Sequence, residues 1–140
     1  MQVDVGSSVG YALKRATTAL HAAMDAELRP LELSVSQYSC LELLQARPEL
    51  SRAALARSTF VTRQAMHQLI GGLRAAGLVD GDGRGYGERL SLTDAGRAKL
   101  RAASAAVAAV EQRMLAELDG PQRRRLHADL LVCLEALDPA

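Results

Sequence analysis

Residues 51–93 hold the feature that most restricts the fold. Two short helical stretches are divided by three residues and followed by two extended runs about a glycine-rich stretch. Ser51 offers a side-chain oxygen to cap a helix from Arg52 to Arg57 or Ser58, and Thr62 does the same for a helix reaching about Ala75. Thr59-Phe60-Val61 connects them, with Phe60 expected to pack on the core of this unit. Ala65, Leu69, Ile70 and Leu73 recur at helical spacing, and Gly77 suits the left-handed residue that ends a helix. Leu78-Val79-Asp80 and Glu88-Arg89-Leu90-Ser91-Leu92 then flank the run Gly81 to Gly87, the pattern of a β-hairpin. Thr93 opens a long helix, with Asp94 where a negative charge suits the helix dipole.

The remaining segments read as helices around this unit. One runs from Ser7 to Leu28 and ends at Pro30, because proline disfavours helix at the residue before it. A second, capped by Ser34 or Ser36, carries Tyr38, Leu41 and Leu44 to about Ala46. The long helix is expected to reach about Leu118, where Gly120-Pro121 breaks it. A last helix, Gln122 to Leu137, places Leu126, Leu130, Cys133, Leu134 and Leu137 on one stripe. With 49% hydrophobic but only 3% aromatic residues, the core must be built of Leu, Ala and Val. The expected fold is mostly α, a winged helix-turn-helix with a small β-hairpin wing. A single domain of 140 residues divides into a winged lobe, 34–93, and a helical dimerisation region, 7–30 and 94–138. The alanine-rich middle of the long helix and the last helix's stripe both call for a packing partner.

A helix-turn-helix works by presenting polar side chains on its second helix to a DNA major groove while the opposite face stays buried. Arg63, Gln64 and His67 occupy the first turn and a half of that helix, nearest the base edges, with Gln68 next in line. Arg can pair with guanine and Gln with adenine through two hydrogen bonds. Ser51 and Thr62, at helix N-termini, suit phosphate contacts. Charge supports a nucleic-acid partner. The net charge is +1, but nine of the 17 Lys/Arg and only four of the 16 Asp/Glu lie between Ser51 and Arg101. That stretch therefore carries +5 and the remainder −4, a segregation suited to a phosphate footprint.

The run LARSTFVTRQAMHQLIGGLRAAGLV followed by ERLSLTDAGRAKL resembles the core of the multiple antibiotic resistance regulator (MarR) family. The upstream LELSVSQYSCLELLQARPELSRAALA resembles that family's second and third helices, so the likeness spans nearly the whole chain. It implies a homodimeric gene repressor on a pseudo-palindromic operator, released by a small aromatic or anionic effector bound between the dimer region and the DNA-binding lobe. Tyr11, Arg15, His21 and Tyr38 are the candidate lining residues. Family wings carry Asp-x-Arg near the tip, with the Arg entering the minor groove. Here Asp82-Gly83-Arg84 has that form, but counting back from Leu92-Thr93 puts Tyr86 where the Arg is expected. Arg84 is the candidate for minor-groove insertion and Arg89 the alternative.

Other functions find less in the sequence. His21, His67 and His127 lie in separate segments without an acid or nucleophile at catalytic spacing, so an enzyme is not expected. Cys40 and Cys133 form no metal-binding motif, and neither a metal nor a cofactor is expected. Some members of the resembling family sense peroxide through a cysteine, which makes redox sensing at Cys40 one alternative. Both cysteines lie in apolar runs, where thiols are usually inert packing. A winged helix used for protein contacts is another alternative, separable by the salt dependence of DNA binding. No stretch of about 18 apolar residues and no signal peptide is evident, so a cytoplasmic protein with no membrane partner is expected.

Overall fold

The computed structural model describes residues 1–59, 61–81 and 90–138. Helix α1 (Val9–Leu28) begins where Ser8 Oγ accepts the Tyr11 N–H at 3.1 Å. Pro30 then sits in one 3-10 turn, Arg29–Leu31, and Glu32 takes a left-handed φ of 60° that turns the chain into α2 (Val35–Ala46). Of the two serines that could start α2, Ser34 does so. Its hydroxyl accepts the Gln37 N–H while the Gln37 side chain accepts the Ser34 N–H, a reciprocal box that satisfies two otherwise unpaired donors.

Helices α3 (Arg52–Ser58) and α4 (Arg63–Ala75) follow, capped by Ser51 and Thr62. Gly77, at φ 75°, ends α4 and leads into β1 (Val79–Asp80). This strand pairs antiparallel with β2 (Ser91–Leu92), Val79 opposite Leu92 and Asp80 opposite Ser91. Helix α5 (Asp94–Met114) and helix α6 (Gly120–Leu137) complete the chain.

One apolar cluster joins all elements but α6. Leu28 from α1, Leu41 and Leu44 from α2, Leu55 from α3, Met66, Ile70 and Leu73 from α4, Leu78 and Leu92 at the hairpin base, and Leu100 and Ala103 from α5 belong to it. In α4 the stripe is rotated from the expected one. Met66, Ile70 and Leu73 are buried, whereas Ala65 and Leu69 are only half-buried. The small residues of α5 let it lie close along α1, its main packing partner within the chain.

The structure corrects the expected ends of the last two helices. Helix α5 stops at Met114, short of Leu118, and Gly120-Pro121 opens α6 rather than only breaking α5. Asp119 and Gln122 form a second reciprocal capping box there. Arg123 gathers the carbonyls of Leu118 and Leu115 at 3.0 and 2.9 Å and the Gln112 side chain at 2.9 Å. These bonds satisfy carbonyls that the end of α5 leaves open. The apolar stripe of α6 faces solvent in the single chain: none of its residues is buried, Cys133 is exposed, and Leu137 is 90% exposed.

Candidate nucleic-acid interface

Packing of α4 decides what its outer face presents. With Met66, Ile70 and Leu73 held in the core, Arg63 and His67, one turn apart, lie exposed beside Gln64 and Gln68, also one turn apart. All four expected base-reading side chains therefore share one face. Thr62 Oγ1 accepts the Ala65 N–H at 3.0 Å and Ser51 Oγ accepts the Ala54 N–H at 3.1 Å. Both caps are exposed, and each hydroxyl keeps its own proton to donate.

Sequence reasoning missed Arg52. Its Nη2 lies 3.3 Å from His67 Nδ1. A guanidinium has no acceptor, so Nδ1 must accept and a neutral His67 carries its proton on Nε2. The contact thus fixes both the tautomer and the ring orientation of a candidate base-reading residue. Arg52, Arg63 and His67 also line an open cleft of about 360 Å³ between α3 and α4. Only its place after the Ser51 cap marks Arg52 in the sequence.

The base of the hairpin is tied to the helices on either side. Thr93 Oγ1 donates to the Gly77 carbonyl at 2.6 Å, and the Thr93 N–H donates to the Leu78 carbonyl at 3.1 Å. Arg97 Nη1 donates to the Leu92 carbonyl at 2.9 Å and pairs with Asp94. The tie made by Arg97 was also missed, since that residue lies in the long helix and nothing in its spacing points back to β2. Arg84, Arg89 and Tyr86, and the packing expected of Phe60, lie outside the described residues.

The four candidate ligand residues do not all line one of the cavities formed by the described residues. Tyr11 and Arg15 line a groove on α1 together with Lys14. Tyr38 lines a separate cavity of about 340 Å³ between α1, α2 and α5, and His21 lines neither. Burial first, and then the neighbouring Glu42 carboxylate, push the Tyr38 hydroxyl up to about 12, so it stays protonated at neutral pH. Cys40 is wholly buried, and burial pushes its thiol up to about 11. Such a thiol is protonated at neutral pH, whereas thiolate is the form that oxidants attack.

Comparison with known proteins bears on this geometry. A model of the MarR family matches residues 31–85. The HTH-type transcriptional repressor Rv2887 of Mycobacterium tuberculosis is 39% identical over 119 residues, covering 83% of this chain and 86% of the relative. The chain belongs to the MarR family. Solved structures agree: Rv2887 in complex with DNA superposes with a TM-score of 0.78 at 36% identity, over 91% of this chain and 98% of that one. Its complex with salicylic acid superposes with a TM-score of 0.74 over the same shares. A MarR-family regulator from Silicibacter pomeroyi, 25% identical, gives 0.84 over 97% and 96%. The winged helix-turn-helix expected from the sequence is therefore the fold, and the MarR-family chain is a transcriptional regulator rather than an enzyme. Among the described residues no helix is long and apolar enough to cross a membrane.

Proposed function

We propose that this MarR-family chain is a homodimeric repressor that binds a pseudo-palindromic operator and is released by a small-molecule effector. The observation that carries the reading is the exposed polar face of α4, on a chain similar to a repressor solved in complex with DNA. In each protomer α4, from its Thr62 cap to Ala75, enters the major groove, and the wing, residues 80–90, reaches the adjacent minor groove. Arg63, Gln64 and His67 read bases, with Gln68 behind them, and Ser51 and Thr62 hold phosphate. Arg84 is the wing arginine placed in the minor groove, with Arg89 as the alternative.

Two protomers meet through the exposed apolar residues of α6, of the segment leading into α1, where Val3 and Val5 are exposed, and of the first turns of α1, where Val9 and Leu13 are exposed. A two-fold dimer matches a two-fold operator, with half-sites about one DNA turn apart. An effector acts by favouring one spacing of the two reading helices over another. That Rv2887 has been solved both with DNA and with salicylic acid supports an effector on a chain this similar.

Arg63→Ala tests the reading face. It is expected to weaken operator binding about 5- to 150-fold, equivalent to about 1–3 kcal/mol, and to relax preference at one base position. Titrations against the operator and single-base variants measure this. Wild-type affinity should itself fall steeply with added salt as counterions are released. An Arg63→Ala protein that binds as tightly and as selectively as wild type would remove α4 from the reading role.

A further inference from the structure

The cavity between α1, α2 and α5 carries polar groups of one sign. Glu42 from α2 and Glu111 from α5 line it beside the hydroxyls of Tyr38 and Ser104, and Met24, Val107 and Met114 supply apolar wall. No Lys, Arg or His lines it among the described residues. Arg101, one turn before Ser104, lines the adjoining cavity, which shares Glu42 and Ser104. The field inside registers on Tyr38. Beyond burial, the carboxylates of Glu42 and Glu111 disfavour its phenolate, and only Ser104 opposes them. Any other anion placed here meets the same two carboxylates. A cation gains from both carboxylates.

We infer that this cavity takes a small amphipathic organic cation, an amine on one or two rings. Its ammonium sits between Glu42 and Glu111 and its apolar body lies on Met24, Val107 and Met114. A volume of about 340 Å³ is at the small end for ligand sites, which limits the body to one or two rings. Methionine walls adapt to irregular apolar shapes and do not select one scaffold. The position suits regulation. Helix α2 packs its other face into the winged lobe through Leu41 and Leu44, and α5 runs from the wing base at Thr93 along α1. A ligand wedged between α2 and α5 biases the angle between lobe and dimer region. The inference rests on the effector reading above, and it names a ligand class opposite in charge to the salicylic acid of the relative.

Three matched probes test it: naphthalen-2-ylmethylamine, naphthalen-2-ylmethanol and naphthalene-2-carboxylate. The chain has no tryptophan, so naphthyl fluorescence reports binding to the full-length protein directly. The amine is expected to bind at least about tenfold tighter than the carboxylate, with the alcohol between them. In Glu42→Gln/Glu111→Gln that preference is expected to vanish. Both side chains are exposed and Gln is close to Glu in size and helix propensity, so the variant retains the fold, as a thermal melt checks. Operator release by the same probes is measured in parallel. A carboxylate that binds as tightly as the amine overturns the ligand class and leaves the effector reading intact. An amine whose preference survives the double substitution binds elsewhere, which also overturns it. Amine binding that follows the two carboxylates but leaves operator affinity unchanged keeps the ligand class and removes the effector reading. If no probe binds, the assignment of this cavity fails.

Discussion

Gly96→Ala is expected to destabilise the protein by about 3 kcal/mol and to lower its melting temperature by about 10 °C at matched concentration. Gly96 is buried in the first turn of α5, where that helix rests on the backbone entering β1. A Cβ at this position would lie 2.0 Å from the Leu78 carbonyl oxygen and 3.0 Å from the Leu78 carbonyl carbon. Both are backbone atoms next to the core, so no side-chain rotation relieves the overlap. Helix α5 must lift away from β1, which strains the Thr93 bonds to Gly77 and Leu78 that hold the hairpin base. Gly71 provides the contrast within the same lobe. It lies mid-way along α4 with nothing within 4 Å of an added Cβ, so Gly71→Ala is expected to stabilise by about 0.5–1 kcal/mol. Thermal melts of the two variants decide the matter. A Gly96→Ala protein as stable as Gly71→Ala would mean that the close approach of α5 to Leu78 is not maintained in solution.

Gly96 also shows how far the sequence can be read. Its run, LSLTDAGR, marks the family, yet the reason for glycine lies in a carbonyl 18 residues earlier, which no local pattern records. Features set by neighbours along the chain were legible. Ser51, Thr62 and Thr93 start their helices as expected because an N-cap is a local contact, and Gly77 takes the left-handed conformation its position implied. The polar face of α4 was legible too, because helical periodicity determines which residues oppose the core. The end of α5 was not. Residues 111–118 contain no helix breaker, and what ends the helix is the Asp119–Gln122 box and the Arg123 side chain folding back on its last carbonyls. The contact of Arg52 with His67 spans two helices, and the pairing of Glu42 with Glu111 in one cavity depends on how α2 packs on α5. Neither leaves a trace in spacing. The expectation of a small aromatic or anionic effector came with the family resemblance, whereas the two carboxylates emerge only from the packing.

Helix α6 carries the second large effect. Its apolar residues were expected on one stripe, and the single chain leaves them in solvent: Leu126, Leu130, Leu134 and Leu137 are all exposed, with Leu131 and Val132 beside them. Monomeric proteins rarely leave contiguous apolar surface of more than a few hundred Å² uncovered, which favours a second copy across this face. The double substitution Leu130→Glu/Leu134→Glu is expected to shift the protein to the monomer mass in light scattering and to weaken operator binding at least about 100-fold. Two linked reading helices gain that much from each other's local concentration. The fold of each chain should survive, because α6 contributes no buried residue and is anchored at its first turn by Arg123, which the substitution does not touch. Glu is close to Leu in helix propensity, and two glutamates one turn apart cost only a few tenths of a kcal/mol (~0.3) within the helix. Circular dichroism should therefore remain helical while mass and affinity both fall. A double variant that stays dimeric and keeps its grip on the operator would place the two-fold contact on another surface. In that case the solvent-facing stripe of α6 would need a different partner to cover it.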